Sequence, residues 1–184
     1  MKHSRKDLLK AVHNIMEDVD NPATRTNKGQ KYLVELKDGT QAIVKTAGKG
    51  GLMASTRSKD IDAGLIGYED DVSHVLAIVC LPNDTIAKAY LIPMNIVIAA
   101  FRRDYAKWLE AHPGSGSDTW VLKFNEMKAD HYSNMSEEWN EYFIGCTSMV
   151  ETGDSPKAVT ARARADIANA YNVDIEQVHI SVDL

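Results

Sequence analysis

The sequence predicts an α/β fold: a mixed sheet of about five or six strands flanked by helices, with a C-terminal helix–strand extension. Three observations carry that reading. The densest apolar block, Val75 to Glu110, reads VLAIVCLP, NDT, IAKAYLIP and then MNIVIAAFRRDYAKWLE. Two apolar runs around an Asn-Asp turn signal predict a buried hairpin, and the following stretch predicts an amphipathic helix. Upstream, YLVEL and TQAIVKT flank Asp38-Gly39, a strong short-range hairpin signal. Near the N-terminus, apolar residues recur at Leu8, Val12, Ile15 and Val19, the spacing of one helix face. The main domain is expected over residues 1–146. Residues 155–184 are expected to form a small helix–strand extension, separate or joined to the main sheet.

In chain order, Ser4 caps the first helix, and Asp7 three residues on makes a capping box with Asp in place of Glu. Asn21-Pro22 ends that helix, and a basic loop (Thr24 to Gln30) leads to the hairpin over Lys31 to Thr46. A two-residue Asp38-Gly39 loop sets Val34 opposite Ile43 and Tyr32 opposite Lys45. Tyr32, Val34, Leu36, Gln41, Ile43 and Lys45 then share one face, and Leu33, Glu35, Lys37, Ala42 and Val44 share the other. Both faces are partly apolar, so the hairpin is expected to be covered on both sides. Ala47 to Asp62, AGKGGLMASTRSKDID, reads as a loop. After the central hairpin, Pro93 closes the second strand. The long helix carries Val97, Ile98, Phe101, Tyr105, Trp108 and Leu109 on one stripe, and His112 to Ser117 breaks it. WVLKF (Trp120 to Phe124) is a short strand, and Asn125 to Met135 is a polar connection. Ser136 is expected to cap a helix reaching Phe143, and Thr147 to Asp154 reads as a linker. Ser155-Pro156 opens a last helix with Val159, Ala163, Ile167 and Tyr171 on one stripe, and Val178 to Val182 is a final strand.

Composition is ordinary for a globular protein, with 44% apolar and 26% charged residues. No run approaches a membrane span, and the basic start MKHSRKDLL has no apolar stretch behind it, so it does not read as a secretory signal. Two cysteines, Cys80 and Cys146, make no disulfide framework; Cys80 reads as a buried small hydrophobe and the compartment as the reducing cytoplasm. The net charge of −5 is unevenly spread. Between Arg25 and Lys59 lie eight basic residues, Arg25, Lys28, Lys31, Lys37, Lys45, Lys49, Arg57 and Lys59, against only Glu35 and Asp38. That stretch is basic and the remainder strongly acidic, the asymmetry of a polyanion-binding face or of a basic face paired with the acidic rest.

The hairpin AIVKTA, the glycine-rich stretch after it and the strand pair ending YLIP resemble the restriction-endonuclease-like PD-(D/E)xK superfamily over about Ser4 to Trp108. In that superfamily an Asp begins one strand and a Glu-x-Lys lies on its hairpin partner. The resemblance makes Lys45 the motif lysine, puts Ile43 at the Glu position and brings the leading Asp near Tyr32. Neither position holds a carboxylate, and such nucleases need carboxylates to hold the divalent ion that organises water and phosphate. Glu35, the nearest substitute, falls on the face opposite Lys45 in the expected pairing. The resemblance therefore implies a dead or repurposed site and no cofactor.

Other motifs are weaker. GKGG at Gly48 to Gly51 lacks Walker-loop spacing. The acidic set Asp60, Asp62, Glu69, Asp70 and Asp71 lacks EF-hand spacing. His3, His13, His74, His112, His131 and His179 are scattered with no zinc pattern. Trp120, Trp139, Tyr132 and Tyr142 sit at spacings typical of core residues. The leading expectation is a non-catalytic nucleic-acid-associated protein that meets DNA or RNA phosphates through Arg25, Lys28, Lys31, Lys45, Lys49, Arg57 and Lys59. An interaction or assembly module, with a protein partner or a second copy, is the alternative. A metal-dependent nuclease with carboxylates relocated to Glu35 or Asp62 is the third.

Overall fold

The computed structural model describes residues 4–28, 31–47, 50–68, 72–81, 84–124 and 133–149, and from the C-terminal part 160, 163–165, 167, 168, 171 and 174–180. The chain forms two compact units, Met1–Met149 and Val150–Leu184.

The first unit opens with α1 (Arg5–Asp18), and the capping box forms as the sequence predicts. The Ser4 hydroxyl accepts from the Asp7 amide at 3.2 Å, and the Asp7 carboxylate accepts from the Ser4 amide at 2.9 Å. Leu8, Ala11, Val12, Ile15 and Met16 are buried, whereas Val19 is the C-cap and exposed. The strands are β1 (Thr24–Lys28), β2 (Lys31–Glu35), β3 (Gln41–Ala47), β4 (Gly51–Thr56), β5 (Leu65–Ile66), β6 (His74–Val79) and β7 (Ile86–Pro93). Then follow α2 (Met94–Ala111), β8 (Thr119–Lys123), the single-turn α3 (Met135–Glu138) and β9 (Phe143–Ser148).

A six-stranded mixed sheet runs β1-β2-β3-β6-β7-β9, and a three-stranded sheet runs β5-β4-β8. Within the large sheet, β3 and β6 pair in parallel, from Ala42 with His74 to Ala47 with Val79, and the other described neighbours are antiparallel. Every residue of β6 after His74 is buried, because both faces of the large sheet are covered. On one face lies α1, packed on Val34, Leu36, Ala42, Val44, Leu76 and Ile78. On the other, α2 and the small sheet share a core with Ile43, Val75, Ala77, Tyr90 and Ile92. Trp120, Phe124 and Trp139 fill that second core, with Tyr105 stacked on Trp120 at 4.2 Å between centroids.

The small sheet has an inner and an outer face. Leu52, Ala54, Leu65, Trp120 and Leu122 point into the core. Gly51, Met53 and Ser55 on β4, Ile66 on β5, and Thr119, Val121 and Lys123 on β8 are the alternate, outward positions.

Several expectations are corrected. The β2–β3 hairpin has a three-residue loop, not two: Leu36 pairs with Thr40, and Leu33, Val34 and Glu35 pair with Ile43, Ala42 and Gln41. Gly39 takes the left-handed conformation at φ 85° that such a loop needs after a tight turn. The one-residue shift exchanges the faces of the whole of β2. Leu33 and Glu35 therefore lie with Gln41, Ile43 and Lys45, and Tyr32 with the α1 side. The expected basic loop is β1, and the expected loop after Ala47 contains β4. The helix expected through Phe143 is one turn capped by Asn134, whose side chain accepts from the Ser136 amide; β9 begins at Phe143, the last residue of that expected helix, and runs into the first two residues of the expected linker. Ser136 instead donates to the Phe124 carbonyl at 2.6 Å.

In the second unit, residues 160, 163–165, 167, 168 and 171 are helical, but Ala168 is buried while Ile167 and Tyr171 are exposed. The buried face thus differs from the expected stripe. Residues 178–180 are not a strand. Ser155, Pro156, Val159 and Val182 lie outside the described residues.

Gly39 offers a direct test of the hairpin loop. A Cβ there meets nothing within 4 Å, so Gly39→Ala is expected to destabilise by backbone strain alone, about 1–2 kcal/mol. Gly39→Asn should cost less. Urea unfolding midpoints check both.

Candidate functional site

The β2–β3 register stops at Leu33–Ile43, while β3 continues with β6 to Ala47–Val79. From Val44 onward β3 therefore has β6 on one side and no β2 pair on the other. A cleft of about 190 Å³ opens there, lined by Arg5, Lys45, Thr46, Gly51, Met53 and Tyr68 among others. Arg5 comes from the first turn of α1, Lys45 from β3, and Gly51 and Met53 from β4. Two cationic side chains, from opposite faces of the large sheet, thus meet at one opening.

Lys45 is partly buried, with its ammonium 4.2 Å from the centroid of the Tyr68 ring, a cation–π contact. A Cβ on Gly67, which has φ 80°, would come within 3.0 Å of that ammonium nitrogen, so glycine there leaves the lysine its room. Tyr68 is 2% exposed and packs edge-on to Phe101 at 5.2 Å. Burial pushes its hydroxyl well above the ordinary tyrosine range. It stays protonated and donates to the Met53 carbonyl at 3.1 Å. The floor under Lys45 is consequently fixed from two elements.

The predicted basic residues do not share one surface. Arg25 pairs with Val34 on the α1 side of the sheet, its guanidinium 4.6 Å over the Tyr32 ring. Lys45 points to the opposite side. Lys28 and Lys31 are register partners where β1 meets β2. Arg57 and Lys59 are exposed beyond β4. Arg57 stands four residues past Met53, roughly 13 Å along a strand. The Lys59 carbonyl accepts from the Tyr105 hydroxyl at 2.9 Å. Lys49 lies outside the described residues, as do Gly48, Glu69, Asp70, Asp71, His3, His131 and Tyr132.

Ile43 is buried at 4% exposure within the apolar core. Tyr32 does not face Lys45; its hydroxyl sits 3.2 Å from His13 Nε2. Glu35, expected on the opposite face, shares the face of Lys45. It pairs with Gln41, however, roughly 13 Å along the strand from that lysine. Asp62 sits in an exposed turn where its amide donates to Asp60. Among the described residues, no three His, Cys, Asp or Glu side chains gather so as to hold a metal ion. Cys80 is buried, and burial, with Asp84 nearby, raises its thiol pKa. Trp120 and Trp139 are core residues.

Sequence reading missed one charged group. Asp104 on α2 is 1% exposed. Its carboxylate accepts from Arg103 at 3.0 and 3.1 Å, from the Ser133 amide at 3.1 Å and from the Ser133 hydroxyl at 3.0 Å. Arg103 also donates to Glu138 at 2.6 Å. Burial works against the guanidinium charge, but the carboxylates of Glu138 and Asp104 outweigh it and raise its pKa. The network ties α2 to α3. Its signal was an acid three residues after Phe101, inside the apolar stripe.

No protein-family profile matches the chain, and no curated protein matches it. Among solved structures it is similar to one described as the crystal structure of MepB, at 11% identity and a TM-score of 0.36, over 78% of this chain and 97% of that one. Similarity at that level leaves function to be argued from this chain's own residues.

Asp104→Ala removes the acceptor of four hydrogen bonds and strands the Ser133 amide. The half-exposed Arg103 keeps Glu138, so the expected loss is about 1–3 kcal/mol, with Asp104→Asn costing less. Chemical denaturation of the two variants against the parent measures it.

Proposed function

We propose that this protein is a non-catalytic nucleic-acid-associated protein on a nuclease-like scaffold, and that its phosphate contacts centre on the cleft at the open edge of β3. The observation that carries the reading is the meeting of Arg5 and Lys45 at that cleft. A guanidinium can grip a phosphate through two parallel hydrogen bonds, and the lysine adds a point charge. Arg25, Lys28, Lys31, Lys49, Arg57 and Lys59 supply outlying backbone contacts, for which one compact patch is not required along a polyanion. The scaffold reading draws on the order α1, β2–β3 hairpin, β6–β7 hairpin and α2, which follows the sequence resemblance. The non-catalytic reading draws on Ile43, an aliphatic side chain where the resemblance places a metal-binding carboxylate. No described helix is long and apolar enough to cross a membrane. A cytoplasmic location goes with the proposal, supported by the unbridged thiols of Cys80 and Cys146.

A second reading, an interaction or assembly module, is favoured by one feature. Among the described residues, β1 and β9 are the outermost strands of the large sheet, and such edges are places where another chain can add a strand.

Titration with labelled duplex DNA at low and moderate salt separates the two. Binding that weakens steeply with salt is expected, because bound phosphates release counterions. Arg5→Ala and Lys45→Ala should each weaken all sequences alike and reduce the salt slope by about one. Lack of binding at low salt, together with a mass in sedimentation that rises with concentration, leaves the assembly reading instead.

A further inference from the structure

We propose that the outward face of the β5-β4-β8 sheet is a platform for single-stranded nucleic acid, with bases against Met53, Ile66 and Val121 and phosphates on Arg57 and Lys123. This rests on the nucleic-acid reading above and assigns it a substrate class and a second surface.

The face is apolar where a solvated sheet is ordinarily polar. Met53 is 62% exposed and Ile66 46% exposed. Ile66 pairs with Ser55, two residues from Met53, and Met53 pairs with Val121. The three side chains therefore form one contiguous patch across all three strands. None of the outward strand positions is acidic, in a chain with 26 acidic residues. Lys123, paired with Gly51, stands at one end, and Arg57, exposed just past the last residue of β4, lies beyond the other. They are roughly 20 Å apart by strand rise. Asp118, the nearest acid in sequence, precedes β8 at the Arg57 end.

Charge complementarity selects a polyanion over a second copy of the chain, since self-association would press like cations together. The apolar centre selects unpaired bases over a duplex. Stacked base pairs keep their ring faces inside, where a flat sheet cannot reach them, whereas an unpaired base can lay its ring on side chains. The thioether of Met53 suits this contact, being polarizable and unbranched. The phosphate cleft continues onto the same surface, because Gly51 and Met53 line the cleft and also belong to the outward row.

The test compares a labelled oligothymidylate with a duplex of equal length by anisotropy at low salt, using the full chain. Single strand is expected to bind at least severalfold more tightly. The double variant Ile66→Ser, Val121→Ser, at two platform positions that do not line the cleft, should weaken single-strand binding roughly tenfold and leave duplex binding unchanged. Ile66 is exposed and Val121 partly exposed, and circular dichroism confirms that the variant folds. Arg57→Ala and Lys123→Ala should each lower the salt dependence for single strand. Single-strand binding that does not respond to the double variant, with duplex binding intact, overturns the platform and keeps the nucleic-acid reading. Binding of neither probe overturns both. Self-association that the double variant abolishes, without nucleic-acid binding, assigns the face to a second copy and overturns the proposal.

Discussion

The parallel pairing of β3 with β6 is the constraint on which the rest of this molecule depends. Antiparallel neighbours can be joined by a tight turn, but parallel neighbours require a crossover of a dozen or more residues. Here the crossover spans residues 48–73, between the end of β3 and the start of β6. Instead of a helix it carries β4 and β5, which combine with β8 into a second sheet. That sheet and α2 cover one face of β3 and β6, and α1 covers the other. The apolar character of β6 on both faces is the sequence expression of this double cover.

The same pairing creates the cleft. β3 follows β6 from Ala42 to Ala47, while β2 pairs with β3 over Leu33, Val34 and Glu35 alone and with β1 along its whole length. Where the β2 pairing to β3 stops, a gap opens that a continuous sheet would close. Arg5 reaches the gap from the start of α1, and Lys45 reaches it from β3 across the Tyr68 ring. The position of Lys45 is therefore set by topology and by one buried aromatic, whatever its ancestry.

Much of the architecture was legible in the residues, and what was not has identifiable causes. The capping box, the β6–β7 hairpin and α2 were readable because apolar periodicity and turn chemistry agreed. The β2–β3 register was not, because Asp-Gly serves two-residue and three-residue loops alike. Apolar residues on both faces removed the pattern that would have decided between them. β4 was hidden because its inward residues, Leu52, Ala54 and Thr56, are mostly small and follow a glycine-rich run. β9 was hidden because Trp139, Tyr142 and Phe143 mimic a helical spacing. At the candidate site, Lys45 was legible, but Arg5 was not. Its approach depends on where α1 docks, a tertiary fact with no local signature. Asp104 was overlooked because an acid in an apolar stripe is usually solvent-facing, and its partner Ser133 lies far along the chain.

The pairings also differ in how much chain each must close. β6 and β7 are near neighbours along the chain, β3 meets β6 across roughly thirty residues, β7 meets β9 across roughly sixty and β4 meets β8 across about seventy. Loop entropy therefore weighs on a distant pairing in each sheet, and the small sheet is held by the surface that α2 and the large sheet offer it. The lysine-bearing opening is bounded by β4, so its shape depends on one of these distant closures.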